Sequence, residues 1–336
     1  MRVFLVSSIL ILGCGRSSDG VGRAPSNETG TPMTCAVSSD TAPRVVGGAV
    51  APEVSSTGIV YIKNCTASRV GPRELLLAAH CVVDATSTQL TVAPGDELDF
   101  VSAPDLKGQA LDLEADGGPA RFLCLIRKGI VDEVVAHPSY ASELKSAPQD
   151  FFGTHVVVHQ SSADVAVIRF RDPLDSSIKT RRVAGHAPSV GDPVTITGFG
   201  CETHDDSKPK RFTLKKAASK VIGQDVLASL SEKFEAGVAG FTDPACAPGS
   251  CLFLPGLETG ILNGASNAGD ICEGDSGGPV FASDDPDAAI VAVNSRGRFF
   301  SPTDKRELYG MVARVDDAST HAVGQWLRDL GIAVTN

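Results

Sequence analysis

Gly274-Asp275-Ser276-Gly277-Gly278-Pro279 brackets one serine with glycines on both sides. Glycine lets the backbone turn sharply and lets another chain come close to the serine. The same freedom can aim the Gly274 and Ser276 N–H groups at a single oxygen. A serine so placed attacks a carbonyl if a base takes its proton, and the two N–H groups then hold the oxyanion. Upstream, Leu77-Ala78-Ala79-His80-Cys81 sets a histidine, the side chain that ordinarily titrates near neutrality, against a cysteine that can be stapled. Between the two lies Ser162-Ala163-Asp164-Val165-Ala166-Val167-Ile168, a carboxylate at the entry of an apolar run. A buried aspartate needs a partner, and a histidine N–H is a suitable one. Taken singly, these segments read as a surface turn, a structural histidine and a turn-capping aspartate. Together, in the order His, Asp, Ser, they supply an orienting acid, a base, a nucleophile and oxyanion donors.

Short apolar runs alternate with turn clusters from residue 45 onward. Gly58-Ile59-Val60-Tyr61-Ile62, Leu75-Leu76-Leu77, Val165 to Ile168, Val194-Thr195-Ile196 and Ile290-Val291-Ala292-Val293 have strand length, with Gly, Pro, Asp or Ser nearby. Strands at this rhythm, without regular helices between them, predict a sandwich or barrel. One helix is expected near the end. Ser319 can cap it, Ala322, Val323, Trp326, Leu327 and Leu330 share a face, and Gly331 stops it. The totals agree: 336 residues, 42% hydrophobic, only 5% aromatic, with 34 Gly and 20 Pro, fit a turn-rich, mostly β protein better than a helical one. The net charge of −10 excludes nucleic acid as an expected partner, because phosphate binding needs a basic face. No repeat at a solenoid period is evident.

The N-terminus reads as an address. Met1-Arg2 is followed by an apolar run, Val3 to Leu12, too short to span a bilayer and suited to a secretory signal over residues 1–13. The run ends in Gly13-Cys14, which resembles the bacterial lipobox, where the cysteine becomes the lipidated first residue. The alternative is an ordinary cleaved signal with an incidental cysteine. Lipidation at Cys14 would give the chain its membrane contact. Export to the cell envelope or beyond implies an oxidising compartment. Of nine cysteines, eight remain once Cys14 is set aside, allowing on the order of a hundred pairings. Residues 14–44, rich in Gly, Ser, Pro and Thr, are expected to form a flexible linker or propeptide before a domain at 45–336.

At this point the chain resembles the trypsin/chymotrypsin family. The matching segments are Val45-Val46-Gly47-Gly48, Ala78-Ala79-His80-Cys81, Asp164 to Ile168, Gly198-Phe199-Gly200, Asp275 to Pro279 and Gly310-Met311-Val312-Ala313-Arg314-Val315. The resemblance implies two packed six-stranded antiparallel β-barrels with a C-terminal helix. It implies a serine endopeptidase with His80, Asp164 and Ser276 as catalytic residues and the Gly274 and Ser276 N–H groups as the oxyanion hole. No cofactor and no metal are implied. The expected partners are protein or peptide substrates, and the expected state is a monomer.

Related zymogens are cut before the segment that Val45 opens here. The freed Val45 amine would fold inward onto Asp275 after cleavage at Arg44, since a buried carboxylate without a counter-charge is strongly unfavourable. Asp270, six residues before Ser276, stands where trypsin-like members hold the substrate's Arg or Lys. Gly297 and Gly310 match the glycines of that substrate pocket, and Ser295 matches the serine beside the buried acid. The resemblance also implies a Cys65–Cys81 disulfide beside His80.

The sequence departs from the family in places. Arg296 replaces the flat tryptophan usual before Gly297, and no cysteine follows Cys272 to brace the loop from Arg298 to Tyr309. Cys201–Cys272 is suggested as a substitute, with Cys246–Cys251 and Cys35–Cys124 as the remaining pairs. The acidic stretch from Asp96 to Asp116 and the segment from Ala141 to Gln160 read as surface insertions, the first too scattered in its carboxylates for a calcium cage.

Two rivals stand beside this reading. Gly274 to Gly278 also fits the G-x-S-x-G elbow of α/β-hydrolases, which would place the acid and histidine after the serine, with His321 available. That fold needs alternating strands and helices, which this sequence lacks. The second rival is a non-catalytic binding protein on a protease scaffold, although such proteins usually lose one of the three residues kept here.

Overall fold

The computed structural model describes residues 49–50, 58–84, 89–102, 111–112, 126–143, 163–200, 211–212, 214–223, 258–263, 271, 274–285, 287–300 and 308–336. The chain divides into Met1–Thr34 and Cys35–Asn336, and all of the described residues belong to the second unit. Strands dominate, in chain order β1 (Ala49–Val50), β2 (Ile59–Ile62), β3 (Cys65–Arg69), β4 (Glu74–Leu77), β5 (Glu97–Ser102), β6 (Leu111–Asp112), β7 (Ile126–Ala136) and β8 (Ala166–Phe170). They continue as β9 (Val183–Ala184), β10 (Pro193–Gly198), β11 (Arg211–Phe212), β12 (Lys215–Ile222), β13 (Glu258–Asn263), β14 (Pro279–Phe281), β15 (Ile290–Phe300), β16 (Leu308–Arg314) and β17 (Val334–Thr335). The all-β expectation therefore holds.

Six strands close a barrel in the order β2-β3-β4-β8-β7-β5, every pair antiparallel. The β2–β3 hairpin turns at Lys63 and Asn64, whose φ values of 50° and 59° are those of a type I′ turn, the two-residue turn that matches strand twist. Ile59, Val60, Leu75, Leu76, Leu77 and Ile168 are all fully buried in its core.

β5 corrects one expectation. The acidic stretch from Asp96 is not an insertion at its start, because Glu97–Ser102 is a barrel strand. Leu98 and Phe100 point inward while Glu97 and Asp99 face out and pair with Lys128 on β7. Its charges are the solvent face of an alternating strand. Likewise the segment from Ala141 opens inside a helix, Pro138–Glu143.

The second sheet also runs in a circuit: β10 pairs β12, β12 pairs β13, β13 pairs β16, β16 pairs β15, β15 pairs β14, and β14 returns to β10. These pairs are antiparallel. β1 adds to β12, and two parallel additions, β9 on β15 and β17 on β9, bring it to nine strands. β6 and β11 form a separate two-stranded ribbon. β15 and β16 run further than expected: Phe299 pairs Tyr309 and Phe300 pairs Leu308, so both ends of the anticipated 298–309 loop are strand.

The C-terminal helix is shorter than expected and spans Val323–Asp329, with Ala322 at φ 48° before it. Ser319 still satisfies a helix-start donor, since its hydroxyl accepts the Val323 N–H at 2.9 Å. Gly331, at φ 81°, ends the helix in a Schellman turn, with Gly331 N–H donating to Arg328 O and Ile332 N–H to Leu327 O.

Candidate active site

His80 sits in a single 3-10 turn, Ala79–Cys81, directly after β4. Ala78 and Ala79 are fully buried, so small side chains let this turn lie against the barrel. A disulfide joins Cys81 to Cys65 on β3. Cys65, His80 and Cys81 bring three potential ligand atoms within 4.8 Å of one another, but the sulfurs are bonded to each other and offer no thiolate. The cluster braces the histidine turn.

Asp164 lies two residues before β8 and is only 4% exposed. Its Oδ2 is 2.8 Å from His80 Nδ1. A carboxylate only accepts, so Nδ1 carries the proton and the Nε2 edge is left as the basic one. Oδ1 accepts the His80 backbone N–H at 2.9 Å, and the Ser295 hydroxyl donates to Oδ2 at 2.6 Å. Burial opposes ionisation of Asp164. The charge of His80 and the hydrogen bonds from His80 and Ser295 outweigh it and hold the carboxyl well below the usual range. The acid therefore stays ionised while orienting the imidazole.

Ser276 lies in the turn before β14, where Gly274 and Gly277 have φ of 96° and 81°. A Cβ on Gly277 would stand 2.3 Å from Thr66 O and 2.9 Å from Ala78 N, so only glycine lets this loop meet β3 and the His80 turn. Thr66 N–H donates to Ser276 O at 2.8 Å. Among the described residues, the Gly274 and Ser276 N–H groups and the Ser276 hydroxyl donate to no partner. The structure thus joins His80, Asp164 and Ser295 directly and seats the serine loop beside them, without a hydrogen bond from Ser276 to His80. Such contacts are often loose until substrate binds. Ser276 and His80 are half-buried at the surface.

Asp275 points the other way. It is 7% exposed and accepts the Gly200 N–H at 2.6 Å. A Cβ on Gly198 or Gly200 would fall 2.2 or 2.0 Å from its carboxylate oxygens. The Gly-Phe-Gly segment is therefore the seat on which this acid rests.

Three residues were missed from sequence. Thr66 Oγ1 donates to Gly274 O at 2.7 Å and accepts Phe199 N–H at 2.9 Å, tying β3 to both loops of the second sheet. Asn294 Nδ2 donates to Thr197 O and Asp275 O, and Asn294 O accepts the Gly277 N–H. Ser139 Oγ accepts the Ala163 N–H at 3.1 Å and fixes the approach to Asp164. None of the three sits in a motif, and pairing across such sequence distances leaves no local signal.

Gly297 lies in β15 where its register with β16 shifts, and Gly310 pairs with Ile261. Cys14, Arg44, Val45, Asp270, Cys201 and Cys272, with Cys35, Cys124, Cys246 and Cys251, lie outside the described residues.

An all-β chain whose closed barrel carries a carboxylate-held imidazole, with a glycine-flanked serine loop packed beside it, falls in the class of serine-protease folds. Residues 127–321 match the family model described as Trypsin, a span that includes Asp164, Ser276 and Ser295. The chain belongs to the trypsin family. It is similar to trypsin iota of Drosophila melanogaster, 37% identical over 122 residues, which are 36% of this chain and 40% of that protein. The chain thus spans about two-fifths of the length of the curated relative it matches. It is also similar to a solved structure titled neuropsin, a serine protease expressed in the limbic system of mouse brain, at 18% identity and a TM-score of 0.49, covering 84% of this chain and 98% of that one.

Proposed function

We propose that this protein is a serine endopeptidase in which Ser276 attacks the scissile carbonyl. His80 Nε2 accepts the serine proton and returns it to the leaving amine, and Asp164 holds the imidazolium that forms between these steps. The Gly274 and Ser276 N–H groups take the oxyanion. Water then repeats the sequence on the acyl-enzyme. The observation that carries this reading is the hydrogen-bonded chain Ser295–Asp164–His80, with the buried acid held ionised.

The chain is made as a precursor cut after Arg44. β1, paired to β12 at Ala49↔Lys216, fixes the chain four residues beyond Val45. Four residues span at most about 14 Å, which gives a freed Val45 amine a short reach towards Asp275. Asp270 selects substrates with Arg or Lys at the cleaved bond, since an unpaired carboxylate disfavours a neutral side chain. Arg296, where the family has a flat tryptophan, favours acidic residues on the adjacent part of the substrate. The precursor is exported through residues 1–13, and Cys14 carries its lipid anchor at the cell envelope. It acts on proteins or peptides as a monomer.

The test is to cut the purified chain at Arg44, confirm the Val45 terminus, and assay amides ending in Arg, Lys, Phe or Ala beside Ser276→Ala. Hydrolysis after Arg or Lys, absent in the variant, is expected. Hydrolysis only after Phe or Ala removes Asp270 from specificity, and a folded, cut, inert chain overturns the protease reading.

A further inference from the structure

Asp164 is the middle residue of a three-residue turn. The Val165 N–H donates back to Ala163 O at 2.8 Å and closes a γ-turn at the entry of β8. Asp164 is not among the described non-glycine residues of positive φ, so the turn is the inverse, unstrained kind common at strand ends. Such a turn has one internal hydrogen bond, and the aim of its middle side chain depends on how its two ends are held. Here both ends are held by one segment. The Ala163 N–H donates to Ser139 Oγ at 3.1 Å, and Val165 O accepts the His137 N–H at 2.9 Å. Ala163, Asp164, Val165, His137 and Ser139 are all buried.

The side chains of His137 and Ser139 fix each other. The Ser139 N–H donates to His137 Nδ1 at 3.2 Å, and Ser139 Oγ lies 2.9 Å from the same nitrogen. A backbone N–H only donates, so Nδ1 carries no proton and the proton of the neutral ring is on Nε2. The Ser139 hydroxyl therefore turns its hydrogen to Nδ1, which leaves its oxygen lone pairs to the Ala163 N–H. The hydrogen bond between the ring and the His321 backbone falls to Nε2, the edge that still donates. His137 also caps the helix Pro138–Glu143 by accepting the Ser139 N–H, but a cap has no need of the serine hydroxyl. We propose that His137 and Ser139 are positioning residues for Asp164. The imidazole, as an acceptor, sets the serine hydroxyl, and the hydroxyl holds the turn that aims the carboxylate at His80.

This role rests on the protease reading and is tested apart from it. Ser139→Ala, Ser139→Thr, His137→Asn and His137→Phe are made in the full chain and cut after Arg44. Each is assayed for kcat and KM, and proton NMR follows the His80 Nδ1 proton, whose signal reports the bond to Asp164. Ser139→Ala is expected to lower kcat by roughly tenfold with KM little changed and to shift that signal. Ser139→Thr, which keeps the hydroxyl, is expected to recover most of the loss. Asn offers an oxygen close to where Nδ1 stood, whereas Phe keeps a ring against Trp326 and offers no acceptor. His137→Asn is therefore expected to keep more of kcat than His137→Phe. A packing role produces the opposite order, and that order overturns the proposal. So does an unchanged kcat in Ser139→Ala, where the helix cap is still in place. In an Asp164→Ala chain, adding Ser139→Ala is expected to cost no further activity, because its effect passes through the acid. A further loss of similar size there overturns the proposal and leaves the protease reading standing. A wild type that is inert, with Ser276 unlabelled by a fluorophosphonate, overturns the protease reading. The NMR signal then decides on the clamp, which stands as the holder of Asp164 if Ser139→Ala moves the signal and falls if it does not.

Discussion

Asp164 shows how one side chain decides both a protonation state and an orientation. It accepts from His80 Nδ1, from the His80 backbone and from Ser295. Asp164→Asn nearly preserves the shape but offers an N–H where a carboxylate oxygen accepted, which favours the wrong imidazole tautomer. The expected result is a fall in kcat on the order of 10⁴-fold with KM little changed, read by steady-state kinetics on the cut chain. Ser295 acts one step further out. Ser295→Ala removes a 2.6 Å bond to an ionised group, a kind of bond that contributes about 1.5–3 kcal/mol. Part of that bond's strength is spent on keeping Asp164 charged and in place, so a kcat loss of at least about tenfold is expected. Ser295→Thr, which keeps the hydroxyl, should recover most of it. Recovery by Ala as well as Thr would assign Ser295 no part in holding the acid.

At the scale of the element, the serine loop is held by a strand of the closed barrel. Thr66 gives its N–H to Ser276 O and its hydroxyl to Gly274 O, and accepts from Phe199 N–H. Thr66→Val keeps the volume and the first bond but strands the Phe199 N–H and the Gly274 carbonyl. Leaving buried groups unsatisfied costs about 1–3 kcal/mol each. Denaturant unfolding should register that loss, and kcat should fall with it because the oxyanion donors belong to the same loop. An unchanged kcat with lowered stability would mean that the loop holds its geometry without Thr66. The apolar runs of the strands were legible because strand length and turn residues are local properties, as Leu75 to Leu77 illustrates. Alternation was not legible there: every residue of β2 and β3 is buried, since one face lines the barrel and the other is covered. In β5 the alternation was present, yet the acidic residues of its outer face made the strand read as an insertion. The β6–β11 ribbon joins Leu111 to Phe212 and had no signal at all. The site divides in the same way. His80, Asp164 and Ser276 were legible as candidates because each sits in a local motif, whereas Thr66, Asn294 and Ser139 take their meaning from partners far along the chain.

Across the whole molecule, the end of the chain ties the two sheets together. The C-terminal helix packs on the first barrel, where Arg169 of β8 donates to Leu330 O at 2.9 Å, while β17 joins the second sheet through β9. His137 sits at that junction, 5% exposed, with its ring 4.9 Å from that of Trp326. Burial, and after it the neighbouring His321, push its pKa down to about 4. A depressed histidine costs nothing above the unfolded value near 6.5, where both states are neutral. As pH falls towards 4 the unfolded chain binds a proton that the folded chain resists, and stability drops by at most about 3 kcal/mol. Asp164 acts in a lower window, because its carboxyl is held down: its contribution is full above about 3.9 and is lost only below that. Urea unfolding at pH 7 and pH 4.5 therefore spans the histidine's window while staying above that of Asp164. His137→Phe, which keeps a ring against Trp326, is expected to flatten the difference between the two pH values. Trp326 is the sole tryptophan of the chain, so its fluorescence reports directly on this contact and should be quenched as the imidazolium forms. A wild type equally stable at both values, or a His137→Phe chain that keeps the whole loss, would place the acid sensitivity elsewhere in the molecule.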